Sequence, residues 1–88
     1  MSLQTFLKRH ELHLTISNEW GDAVYIGQAS EVKPIKGGNR VRFPVKVIPE
    51  SIFPYTQAIL HDGGSIYAAI SVSPVRVTSG MTVELLVG

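Results

Sequence analysis

The chain has no cysteine, which excludes a disulfide framework and a thiolate zinc site, two supports that small domains commonly use. The redox compartment cannot be read from a zero count. Charge is scarce too: Asp, Glu, Lys and Arg make up 17% of the sequence, against a usual share of about 25%. The formal net charge is only +1, so attraction to a polyanion would have to come from local clustering and not from a global field. No apolar run approaches the roughly 18 residues that a membrane helix needs. In the opening MSLQTFLKRH, Lys8 and Arg9 follow the few apolar residues instead of preceding them, unlike a secretory leader. The expectation is a soluble protein made in the cytoplasm.

Catalytic signatures are missing as well. There is no G-x-S-x-G elbow, and His61, Asp62 and Ser65 are too local to converge on one substrate atom as a triad. KGGNR, residues 36–40, is followed by an alternating run and not by a helix whose amides could hold a phosphate. HELH, residues 10–13, is one residue short of the two-histidine spacing of a zinc protease. On a strand, His10 and His13 point to opposite faces and cannot share a metal. The reading is therefore of no enzyme, no cofactor and no metal, unless residues distant in sequence gather His61 or His10 with carboxylates in a pocket.

What the chain does have is grease and alternation. Apolar residues are 44% before the eight glycines are counted, and 88 residues enclose little interior for them. Part of that surface is expected to be covered by a second copy or another protein.

The period is two from His10 onward. Leu12, Leu14 and Ile16 alternate with Glu11, His13, Thr15 and Ser17, which predicts a half-buried strand. NEWGD supplies a turn, and AVYIGQASEV a second strand with a bulge at Gly27. KGGN is a turn that leads into a third strand, Arg40 to Ile48. QAILHDGGSIYAAISVS reads as a hairpin about Asp62, Gly63 and Gly64, and the last unit turns at Ser79 and Gly80. The fold expected is all-β, a small antiparallel sandwich or barrel of six to eight strands in one domain, 1–88. Residues 1–9 form either a flexible extension or a short helix, since Leu3, Phe6, Leu7 and His10 fall at helical spacing.

Three features are candidates for function. Lys33, Lys36, Arg40, Arg42 and Lys46 are five of the eight basic residues, with no acid between Glu31 and Glu50. Arg40, Arg42 and Lys46 share one strand face, with Val41, Phe43, Val45 and Val47 on the other. Pro44 and Pro34 cannot donate to a ladder, so both strands are expected at sheet edges or bulges. A charged edge with proline resists stray pairing, and that reading is preferred over polyanion or single-stranded nucleic-acid binding, because the cationic face has no aromatic to stack on bases. Ile52, Phe53 and Tyr55, between and beside Pro49 and Pro54, form an apolar segment suited either to anchoring a partner or to closing the core. Trp20 is expected to plug a core edge. Ala68 and Ala69, with Ser71 and Ser73, keep one strand small, which allows close approach of another sheet.

The functional expectation is a structural or interaction module that self-associates, or joins a larger assembly, through sheet edges and the 49–56 loop. Polyanion binding is the alternative, and an enzyme with distant residues converging is the second.

Overall fold

The computed structural model describes residues 2–46, 55–75 and 80–87, with the backbone alone for 71–75. Helix α1, Leu3–Leu7, precedes seven strands: β1 His13–Ser17, β2 Ala23–Gln28, β3 Glu31–Ile35, β4 Gly38–Pro44, β5 Tyr55–His61, β6 Ile66–Val75 and β7 Thr82–Val87. One sheet has the order β2-β1-β5-β6 and the other β3-β4-β7. Every pairing is antiparallel. The result is a sandwich in which hairpins β1–β2 and β5–β6 share one layer, and hairpin β3–β4 recruits β7 in the other.

Alternation explains what is inside. Leu14 and Ile16 of β1 face Val41 and Phe43 of β4, and Ala58 and Leu60 of β5 complete the middle of the core. Burying a side chain such as Phe43 contributes about 1.5–3 kcal/mol. α1 closes one end: Leu3 is 1% exposed and Phe6 is in the core. The Phe6 ring lies 5.2 Å from Tyr67 and stacks on His10 at 4.5 Å. Ser2 caps the helix by accepting from the Thr5 amide at 3.2 Å. Gln4 Nε2 donates to the buried Asn39 Oδ1 at 3.0 Å, which ties α1 to β4.

The turns use the residues the sequence offers. Asn18 Oδ1 accepts from the Trp20 amide at 3.1 Å and the Asp22 amide at 3.0 Å, organising the β1–β2 turn. Asp62 Oδ1 accepts from the Gly64 and Ser65 amides in the β5–β6 turn. Register slips between Leu14 and Thr15, where Leu14 pairs with Gly27 and Thr15 with Tyr25. That is the bulge expected at Gly27.

One expectation is overturned. β4 is the central strand of its sheet and not an edge. The Val45 amide donates toward β7, to the Met81 carbonyl at 2.7 Å, while the Arg42 carbonyl accepts from Ser30 on the β3 side. By alternation the Pro44 nitrogen faces the β3 side, and β3 begins its pairing only at Arg42, opposite Glu31. The missing donor therefore falls where no strand asks for it. Pro34 does lie on an edge, β3. Val47 and Ile48, assigned to the third strand above, and Ser79 lie outside the described residues.

Candidate interaction surfaces

The two outer faces of the sandwich differ in charge. On the β3-β4-β7 sheet, Glu31, Arg42 and Glu84 form one row and Lys33, Arg40 and Leu86 the next. Arg42 Nε donates to Glu84 at 3.0 Å, and its Nη1 is 3.9 Å from Glu31. Arg42 thus spends its charge across three strands, which interrupts the cationic row read from the sequence. Arg40 is half-buried, and its Nε has no hydrogen-bond partner among the described residues. Lys33 is exposed on the β3 edge, Lys36 sits in the β3–β4 turn, and Lys46 is exposed past the end of β4. Ile35 and Leu86 flank a shallow hollow at this end of the sheet, lined also by Lys36, Gly37 and Asn39.

Among the described residues, strand β7 is an open edge of its sheet, beside that hollow. Its pairing with β4 is regular from Thr82 to Val87, without a bulge. Because the Met81 carbonyl faces β4, alternation turns the odd residues of β7 inward along the ladder and leaves the backbone groups of Thr82, Glu84 and Leu86 facing away. The strand holds no proline and a single charge, Glu84, which is already paired. The Leu86 side chain is 70% exposed.

The outer face of the β2-β1-β5-β6 sheet carries no Asp, Glu, Lys or Arg among the described residues. Its top row is Gln28, His13, His61 and Ile66; the middle row is Tyr25, Thr15, Ile59 and Ala69; the lower row includes Ala23, Ser17 and Gln57. Ile66 is 67% exposed, and Tyr25, Ala23 and Ala69 are exposed too. Side-chain hydrogen bonds knit this face together. His13 Nδ1 is 2.6 Å from the Tyr25 hydroxyl, and His61 Nε2 is 2.7 Å from Thr15 Oγ1. The two imidazoles stack at 6.0 Å.

His61, the last residue of β5, is thus half-buried and bonded within this face. Its Nδ1 accepts the Gly63 amide at 2.8 Å, so the ring proton resides on Nε2 and is donated to Thr15. Burial, and then the His13 charge, lower its pKa, with Asp62 opposing them. At the rim, His10 Nδ1 meets Asp62 Oδ2 and Glu11 Oε2 meets His13 Nε2 at 3.2 Å. The Ser65 and Gly64 amides, with His10, pull the Asp62 carboxyl down to about 2. A histidine–carboxylate pair does converge from distant positions here, but on the end of a sheet face and not in the hollow, whose lining is different. Among the described residues, no group of three His, Asp or Glu is placed to hold a metal.

Of the two readings for Tyr55 the structure has the core-closing one, and the expectation for Trp20 is overturned. Tyr55 opens β5 with its side chain in the core, 5% exposed, because the slip between Tyr55 and Gln57 turns it inward. Burial raises its pKa. It closes the core and does not stand out as an anchor; Ile52 and Phe53 lie outside the described residues. Trp20 is 66% exposed and plugs nothing: the Asn18 side chain holds its amide at the tip of a tight turn, which directs the indole outward. Alternation in the sequence marked the outward positions, but which strands would stand side by side, and so that one face would lack charge, was visible only after assembly.

No family model, curated protein or solved structure matches the chain. Among the described residues, no helix is long and apolar enough to cross a membrane.

Proposed function

We propose that the protein is a non-enzymatic interaction module that assembles with copies of itself, or into a larger complex, through its sheet edges. The observation that carries this reading is β7, a regular edge without bulge or proline whose outward backbone groups lie beside an exposed Leu86. Folded proteins protect such edges by charge, proline or distortion, and an unprotected one pairs with another strand. Antiparallel pairing of β7 with its copy about a two-fold axis joins two three-stranded sheets into one. A net charge of +1 offers little repulsion between copies. The polyanion reading has less behind it, since Arg42 is held between two carboxylates, only Lys33 and Arg40 stand side by side, and Lys36 and Lys46 lie apart in a turn and past a strand end.

Sedimentation equilibrium tests the proposal. Leu86→Pro removes an outward-facing amide and an exposed side chain while leaving the β4 ladder intact. The molar mass is expected to fall by half. A wild-type mass of 9.6 kDa at high concentration, or a mass unaltered by the substitution, would refute it.

A further inference from the structure

We infer that the uncharged outer face of the β2-β1-β5-β6 sheet is a second, independent self-association surface, which packs face to face against the same face of another copy. It goes beyond edge pairing through β7, and uses the opposite layer of the sandwich.

Charge distribution is the first support. A chain with few ionised groups keeps Glu31, Lys33, Arg40, Arg42 and Glu84 on the other outer face, whereas among the described residues the strands of this one carry none, and Glu11 and Asp62 at its upper rim are each bonded to a histidine. A sheet face turned to water ordinarily alternates polar and often charged side chains with the core residues. Here Ile66, Tyr25 and Ala69 stand exposed, with Ile59 half-buried between them. The hydroxyl of Tyr25 and both ring nitrogens of His61 already have partners within the face. Their hydrogen bonds are satisfied before any partner arrives, so covering them strands little polar capacity.

Shape selects the occupant. The upper end of the face is bulky, with His13, His61 and Ile66, and at the lower end Ala23 and Ser17 are slight, with Gln57 beside them bonded to Ser17. A two-fold axis running across the strands sets the bulky end of one copy over the slight end of the other, an isologous contact. A highly charged partner would find counter-charge among the described residues only at the rim, where Glu11 and Asp62 already meet histidines, whereas a second copy sets the uncharged strand rows against each other. Four strands at about 4.8 Å spacing and some five residues at about 3.3 Å rise give a flat patch of roughly 300 Å². Side-chain relief enlarges it, so two copies cover on the order of 1,000 Å², the scale of a specific contact. Sheets stack this way at about 10 Å, with small residues easing the approach.

The test is made in the Leu86→Pro background, where the edge contact is removed. That variant is expected to be a dimer through the face. Adding Ala69→Arg and Ile66→Lys, both at exposed outward positions, places like charges in the contact and is expected to yield a monomer, with circular dichroism unchanged. Wild type is expected above dimer mass. If Leu86→Pro alone is monomeric, or if its dimer survives both charges, the face proposal fails while edge pairing still stands on the mass difference from wild type. If wild type is monomeric, both fail. Should the combined variant not fold, Ile66→Lys alone in the same background is expected to weaken the dimer at least tenfold, and an unchanged dissociation constant overturns the proposal.

Discussion

His61 shows how one side chain records its surroundings. Its Nδ1 is aimed at an amide that can only donate, so protonating the ring costs a hydrogen bond as well as burying a charge beside His13. Its folded-state pKa lies below the ordinary 6.5. The unfolded chain therefore takes up a proton first as pH falls, and stability declines from pH 6.5 down to the lower folded value. Asp62 acts in a separate window: its contribution is complete above its ordinary 3.8 and is lost as pH falls through about 2. Urea unfolding at fixed protein concentration should show stability dropping as pH falls below 6.5. In His61→Gln, which keeps a donor for Thr15, that drop should flatten, and an unchanged profile would contradict the assignment. At this scale the sequence was a good guide inward and a poor one outward. Leu14, Ile16, Val41 and Phe43 were legible as core because a strand has two faces and only one was apolar. The outward orientation of Trp20 and the bonded state of His61 depend on neighbours many residues away, or on how tightly a turn closes.

At the level of elements, hairpins were readable and neighbours were not. The β3–β4 turn needs a positive φ at Gly37, which sits at +89° with open space where a Cβ would stand. Gly37→Ala meets no clash but adopts an unfavourable backbone, and should lower stability by about 1 kcal/mol. A guanidinium titration should show a shifted midpoint at unchanged slope. Proline, by contrast, misled about position. Pro44 forbids only one backbone contact on one side, and β4 runs past the start of β3 on that side. An edge and an overhang remove the same donor, and nothing local in the chain distinguishes them.

For the molecule as a whole, a five-residue helix decides whether the sandwich closes. Such a helix is not stable alone; it persists because Leu3 and Phe6 are buried and Gln4 reaches Asn39. Phe6→Ala should cost about 3–5 kcal/mol, a large part of the roughly 5–15 kcal/mol that holds a domain together. Thermal unfolding should show one cooperative transition at a much lower temperature; if only the near-ultraviolet signal of the helix end changes while the midpoint holds, α1 is an ornament.

The sequence by itself determined the all-β class, the two-sided strands, the main turns and the low share of charge, because each follows from local geometry or from composition. Only the tertiary structure decided which strand is central, which strands are edges, and that Glu31, Lys33, Arg40, Arg42 and Glu84 share one outer face while the strands of the other carry no charged side chain among the described residues. Those properties belong to strand order, and strand order is set by how distant segments pack together, an energy that no short window of sequence contains.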